Sequence, residues 1–253
     1  MRTVHATRYV TPLREGGSLP AIVEGDDDGL YVAKFRGAGQ GEKALVAELI
    51  AGELARLAGL RVPELVLLAL DPALGRNEPD YEIRQLLKAS AGTNLGVDYL
   101  PGSVTFDPVA GPAPAPALAS AVVALDAWVQ NVDRTPRNTN LLLWHRQLWL
   151  IDHGAALHFH HAWDARKDTA RSAYPLVKDH VLLPWATALP AAVAALRAKA
   201  TRPAIAAVLA AVPDAWLSAD GPDRAAYVEH LARRLEASDL WLEEAERARA
   251  ALV

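Results

Sequence analysis

Between Lys88 and Pro116 the chain changes character, and that change limits what it can fold into. Before this stretch, short runs alternate apolar and polar residues between Gly-rich turns, the pattern of a half-buried sheet. After it, Ala, Leu, Arg and Glu dominate and the composition is helical. The stretch itself, with "ASAGTNLG" and "GPAPAPA", reads as a connecting and irregular region. The expected architecture is α+β and bilobal: a small antiparallel-sheet N-lobe with one main helix over residues 1–88, and a mostly α-helical C-lobe over 89–253. At 253 residues and 51% hydrophobic, the chain can bury a core of that size.

In the first part, strands are expected at roughly Thr7 to Leu13, Leu19 to Glu24 and Leu30 to Arg36. Gly16, Gly17 and Ser18 link the first two, and "GDDDG" the second pair, as short hairpin connections. A helix follows "GAGQG" from about Glu42 to Ala58, with Gly59 at its left-handed end. "RVPELVLLAL" reads as a buried strand and Tyr81 to Leu87 as the last strand of the sheet. In the second part, Ala117 to Gln130 is helical, and several packed helices follow Leu182.

Composition removes several classes of function. A formal net charge of −4 gives no general attraction to nucleic acid or to an acidic membrane, and no direct nucleic-acid binding is expected. With no cysteine, disulfides, Cys-ligated zinc and iron–sulfur clusters are excluded. The N-terminus "MRTVHATRYV" lacks the apolar region of a secretory signal, and no stretch reaches about 18 uninterrupted apolar residues. The expectation is a cytoplasmic protein.

Against that background "NVDRTPRNTNLLL", residues 131–143, crowds more polar side chains into one loop than a turn needs. The following "NLLLWHRQLWLIDHG" has two apolar runs around His145 and Arg146, which suits a two-residue hairpin turn. If Trp144 pairs with Gln147, Asp152 falls opposite Thr139, flanked by Asn138 and Asn140. Adjacent strands lie about 4.8 Å apart, so Asp152 and an Asn side chain can share a small ion. A carboxylate and an amide carbonyl are hard oxygen ligands of the kind magnesium accepts beside waters and phosphate oxygens. Asp133 precedes Asn138 by five residues, the spacing that in kinase-type phosphoryl transfer separates a proton-accepting Asp from a metal-binding Asn. Capping of a turn is the structural alternative for the same residues. A calcium EF-hand does not fit, because its sixth and twelfth positions, counted from Asp133, are Asn138 and Trp144 rather than Gly and Glu.

The first part supplies matching candidates. In "LYVAKF" the two-residue period puts Leu30, Val32 and Lys34 on one face, with Val32 placed for an adenine ring and Lys34 for phosphates. A surface lysine is the ordinary alternative. The helix that follows offers Glu48, on a face of Ala and Gly, and Glu53, near Ile50, Leu54 and Leu57, as a carboxylate partner for the lysine. "EGGS", with Gly16, Gly17 and Ser18, can cover phosphates with backbone N–H groups, although most such pairs are plain turns.

In order, these pieces are a Gly-rich turn, a strand lysine, a helix glutamate, Asp-x4-Asn, and Asp-x-Gly after a hairpin. That order resembles the protein-kinase-like superfamily. "AELIAGELARLAGLRVPE" followed by "NVDRTPRNTN" and "LIDHG" resembles the HipA-like serine/threonine kinases over roughly residues 7 to 185. The resemblance selects Glu48, which stands 15 residues before Pro63 of a "GLxVP" ending, as the partner of Lys34. It implies Asp133 as catalytic base, Asn138 and Asp152 as Mg ligands, ATP as cofactor, and a protein substrate carrying Ser or Thr. It further implies a toxin–antitoxin setting with a small antitoxin or regulatory partner, and a site of autophosphorylation at Ser18. The usual His-Arg-Asp is Asn131-Val132-Asp133 here, and Asp-Phe-Gly is Asp152-His153-Gly154. Two other functions compete: a catalytically weak nucleotide-binding regulatory module, and a metal-dependent phosphohydrolase using Asp152, His153, His158, His160 and His161.

Overall fold

The computed structural model describes residues 1–13, 19–39, 41–76 and 78–252. Strands β1 (Thr3–Pro12), β2 (Ala21–Gly25), β3 (Leu30–Lys34), β4 (Leu65–Leu70) and β5 (Gly92–Asp98) close a barrel in the order β1-β2-β3-β5-β4. Helix α1 (Gly41–Ala58) joins β3 to β4, and α2 (Tyr81–Ala89) joins β4 to β5. Neighbouring strands are antiparallel except β1 and β4, which run parallel with Val4 opposite Leu68. Gly16, Gly17 and Ser18 lie outside the described residues.

Two expectations about this sheet are corrected. The antiparallel sheet closes into a barrel with one parallel pair, and Tyr81 to Leu87 is a helix, not a strand. Asp80 caps that helix by accepting hydrogen bonds from the N–H groups of Glu82 and Ile83, at 2.9 and 3.3 Å. Ile83, Leu86 and Leu87 then share one face at helical spacing and pack on the barrel core. The strand position is taken by β5, from the Gly-rich stretch beyond Lys88 that reads as a connection. Gly96 makes this possible: a Cβ there would come within 2.7 Å of the Val66 side chain. Lys34 pairs with Leu95 and Val32 with Val97, so the stretch read as irregular backs the strand that carries the candidate lysine.

The period of two in β3 divides its side chains. Tyr31 and Ala33 enter the barrel core with Val4, Val23, Val66 and Leu68, while Val32 and Lys34 face outward and are half-buried. Helix α1 packs mainly on the helical side of the molecule. Its Leu45, Leu49, Ile50 and Leu54 join the larger core formed with α3 (Pro116–Val129), α4 (Leu189–Lys199), α5 (Arg202–Leu209), α6 (Arg224–Glu236) and α7 (Ser238–Ala250). It ends at Gly59, φ +92°, the left-handed position expected there.

A small sheet sits between these parts: β6 (Val104–Thr105), β7 (Leu141–Trp144) and β8 (Gln147–Leu150). Trp144 pairs with Gln147 as the two apolar runs require, and His145 and Arg146 turn the chain with φ of 48° and 62°, the signature of a type I′ hairpin. Among the described residues no helix is long and apolar enough to cross a membrane.

Candidate active site

Val32 and Lys34 from β3, Glu48 from α1, Asn138 and Asn140 from the loop after α3, and Asp152 after β8 line one cleft of about 1190 Å³. The β7–β8 ladder ends at Leu141 and Leu150, Ile151 N–H still donates to the Asn140 carbonyl at 3.1 Å, and Asn140 and Asp152 adopt left-handed backbone conformations with φ of 48° and 54°. Asn and Asp tolerate that region better than other non-glycine residues. Asn140 thereby reaches across the pair, donating from Nδ2 to the Asp152 carbonyl at 3.5 Å and to the Asp133 carbonyl at 3.2 Å.

Asp133 is held on its side chain as well. Asn138 donates from Nδ2 to Asp133 Oδ2 at 2.7 Å, and Asn140 adds a second, longer bond at 3.3 Å. The Asn138 amide nitrogen is thus committed to Asp133, which leaves its carbonyl oxygen as the donor atom for a cation. With the Asp152 carboxylate, whose side chain is 47% exposed, this gives two hard oxygens on one cleft wall, and they fit magnesium's usual complement of one or two protein ligands.

Lys34 stands opposite. Its Nζ donates to Asp152 Oδ1 at 2.7 Å and lies 3.6 Å from Glu48 Oε2. Burial alone would lower the lysine pKa, but Glu48 and Asp152 outweigh it and raise it, so the ammonium is charged at any ordinary pH. Burial would likewise raise the pKa of Glu48. Lys34 and His153 reverse that and hold its carboxyl below the usual range. Glu48, selected by the GLxVP spacing, is therefore the ionised partner of the strand lysine, and Glu53 instead lies near Arg56 at 3.8 Å.

The loop under Asp133 is held by a buried polar network. Asp126 on α3 accepts from Arg134 Nε at 2.5 Å, from Asn131 Nδ2 at 3.1 Å, and from His180 Nε2 at 3.0 Å. The Leu182 N–H donates to His180 Nδ1, which places the ring proton on Nε2, facing the carboxylate. Arg134 also donates to the carbonyls of Asn140 and Ile151, and Tyr174 to that of Asn131. Burial would raise the Asp126 pKa, but Arg134 and His180 drive it far below the carboxylate range. No sequence motif marks any of these residues for this role. A signal was present: Asp126 is a lone acid in "ALASAVVALDAWV", an apolar helix where an unpaired charge would be costly.

The histidine cluster does not form the metal set required of a phosphohydrolase. His153 turns to Glu48, with Nδ1 3.5 Å from Oε1. His160 meets Tyr227 Oη at 2.9 Å through Nδ1 and His161 at 3.2 Å through Nε2. Among the described residues no group of three or more His, Asp or Glu side chains is arranged to hold a metal ion.

The family model described as HipA-like kinase matches residues 7–244, past the end of the similarity legible in the motifs. The chain belongs to the HipA-like kinase family. No curated protein matches it. Among solved structures, this HipA-like kinase is similar to the Helicobacter pylori proinflammatory kinase CtkA, with 12% identity, TM-score 0.58, and 99% of each chain covered. It is also similar to the Golgi casein kinase with Mn/ADP bound, with 14% identity, TM-score 0.54, and coverage of 99% of this chain and 74% of that one. At these identities the likeness shows a kinase-like mixed α/β fold. Family and fold together make the HipA-like chain a kinase-type phosphotransferase.

Proposed function

We propose that this chain is an ATP- and Mg-dependent protein serine/threonine kinase. The observation that carries this reading is the convergence of Lys34, Glu48, Asp152 and Asn138 on one cleft, with Asp133 hydrogen-bonded to Asn138 beside it. The structural neighbour holding Mn/ADP supports a nucleotide and a divalent metal as the occupants. Asp152 and the carbonyl of Asn138 would hold magnesium, which when bound neutralises charge on the phosphates.

In this reading Val32 packs on the adenine and Lys34 neutralises the phosphates, with Glu48 keeping the ammonium on the cleft side. The acceptor hydroxyl forms its bond to the γ-phosphorus as the bond to the β–γ bridging oxygen breaks, ADP leaves with that oxygen, and Asp133 takes the hydroxyl proton. Asn138 and Asn140 hold the accepting carboxylate in place from two sides. The acceptor is a serine or threonine of another protein, and a small regulatory partner of antitoxin type belongs to the same reading.

The test is incubation with Mg-ATP and candidate proteins, read by mass spectrometry. Phosphoserine or phosphothreonine formed by the wild type and absent with Asp133→Ala supports the reading. Transfer that persists in Asp133→Ala removes Asp133 as the base. An ATP-dependent rise in melting temperature with no transfer to any protein would favour the regulatory-module alternative.

A further inference from the structure

His153 has no part in the chemistry above, yet it is fully buried in the turn that carries Asp152. Neither ring nitrogen makes a hydrogen bond within normal limits, and Nδ1 faces Glu48 Oε1 at 3.5 Å. Glu48 is itself 2% exposed, and its other oxygen lies 3.6 Å from Lys34, also without a hydrogen bond. The carboxylate is thus suspended between two cations or donors, one on each oxygen. With Lys34 on Asp152 at 2.7 Å, the contacts form a ring that leaves and re-enters the chain at adjacent residues, Asp152 and His153.

The turn that carries His153 lies directly against the helix that carries Glu48. Gly154 brings the turn against α1, where a Cβ would stand 3.6 Å from Glu48 Oε2 and 3.7 Å from the Ala44 carbonyl. Lys34, Ala44, Glu48, Asp152 and Gly154 line a cavity of about 30 Å³ beside the Lys34–Glu48 contact. Lys34 also has a second carboxylate to choose, and an Asp152 occupied elsewhere leaves it to Glu48 alone. A carboxylate buried this deeply needs a donor on each oxygen.

We propose that His153 is a positioning residue: it presents Nδ1–H to Glu48 Oε1, fixes that carboxylate, and so sets where Lys34 meets the phosphates. The proposal rests on the phosphotransfer reading for its kinetic consequence, but the His153–Glu48 contact is testable without it. Phenylalanine at this position fills the volume and removes the donor. Asparagine keeps a donor near the position of Nδ1 in a smaller side chain.

Two measurements on the full chain decide it. The first is steady-state transfer from Mg-ATP to dephosphorylated casein, for wild type, His153→Phe, His153→Asn, Glu48→Gln and the double variant His153→Phe/Glu48→Gln. His153→Phe is expected to lower kcat/KM for ATP between about tenfold and a hundredfold, as for a misplaced positioning group, with His153→Asn recovering most of it. In the Glu48→Gln background the same change should cost less than about twofold, because the two residues act as one unit. An equal loss in both backgrounds, or no recovery with His153→Asn, overturns the proposal and leaves His153 as packing. The second is the same four-variant cycle, His153→Phe against Glu48→Gln, in thermal melts without nucleotide. Non-additive shifts support the contact and additive shifts refute it, whatever the casein assay gives. Absent transfer by the wild type with non-additive melts would count against the proposed function alone.

Discussion

Two charge clusters flank the loop that carries Asp133, and they are built to opposite specifications. Around Asp126, both side chains of the ion pair with Arg134 are wholly buried, and the carboxylate accepts three side-chain hydrogen bonds. Around Lys34, one carboxylate is buried and the other, Asp152, is 47% exposed, and the two nitrogen–oxygen distances differ by almost an ångström. The first cluster lies within the helical side and fixes backbone: Arg134 reaches the carbonyls of Asn140 and Ile151, the residues that introduce the two cleft-facing side chains. The second joins β3, α1 and the turn after β8, and its lysine has two possible partners. Complete burial suits a scaffold, even with Arg134 Nη2 left without a partner, and partial exposure suits groups that must exchange protein contacts for ligand contacts. On the proposed function, the difference separates residues whose loss should unfold the loop from residues whose loss should stop the chemistry.

The sharpest division should come from Asp133→Ala. Asp133 touches neither cluster's ion pair, and it is held by Asn138 and Asn140. Removing a positioned proton acceptor is expected to lower kcat by about 10²- to 10⁴-fold. The melting temperature should stay close to wild type, checked by calorimetry on the sample used for kinetics. A large loss of stability would mean that Asp133 belongs to the scaffold.

Asp126→Asn tests the other side. It leaves the Arg134 guanidinium buried without its counter-charge, a change that costs about 3–5 kcal/mol. Urea unfolding should show that loss directly. Activity of the remaining folded fraction should fall as well, since the Asn140 carbonyl and the loop it positions lose their anchor. An Asp126→Asn variant with near-native stability would break the contrast between the clusters.

Lys34→Met strips Glu48 Oε2 of its partner and should cost some stability, but less than Asp126→Asn, because Asp152 is open to water and His153 stays on the other Glu48 oxygen. Its effect belongs in nucleotide binding. Loss of a charged hydrogen bond to phosphate, worth about 1.5–3 kcal/mol, predicts an affinity for Mg-ATP about ten- to a hundredfold weaker by titration calorimetry. Unchanged affinity would place the lysine outside the nucleotide site.

How legible each cluster was follows from how local its cause is. Lys34 and Val32 were readable because alternation along one strand sorts side chains between two faces. The register of Trp144 with Gln147 followed from a two-residue turn, and it carried Asp152 to its place near the asparagines. Glu48 was favoured by its face of small residues, and only the resemblance selected it over Glu53. The Asp126 network was not readable in detail: its members come from α3, the loop that carries Asp133 and the segment near His180, and only the chain's tertiary course brings them together. The same limit explains β5. A strand built from "GTNLGVD" has little β-propensity of its own, and it forms because β3 and β4 hydrogen-bond to it on both sides. Tyr81 to Leu87 failed in the opposite direction, where the Asp80 cap decided for helix.

A last, smaller effect concerns acid. His160 and His230 are buried near positive neighbours: burial first, then His161 and Lys43 for His160, and Arg234 for His230, push their pKa values down to about 3 and about 4. In the unfolded chain they titrate near 6.5. Between those values the unfolded state binds more protons than the folded one, so their contribution is fully present above about pH 6.5 and is lost as pH falls towards the folded values. Each should cost up to about 1.4 kcal/mol per pH unit in that window. Melting temperature is expected to drop between pH 7 and 5.5, and the drop should shrink in a His160→Gln/His230→Gln variant. The Asp126 and Glu48 carboxyls, held low by their cations, contribute no slope there and begin to weaken the fold only as pH falls below the ordinary carboxylate range. A melting curve flat from pH 7 to 5.5 would mean that the two histidines are solvated in solution, and that acid sensitivity resides in the charge clusters alone.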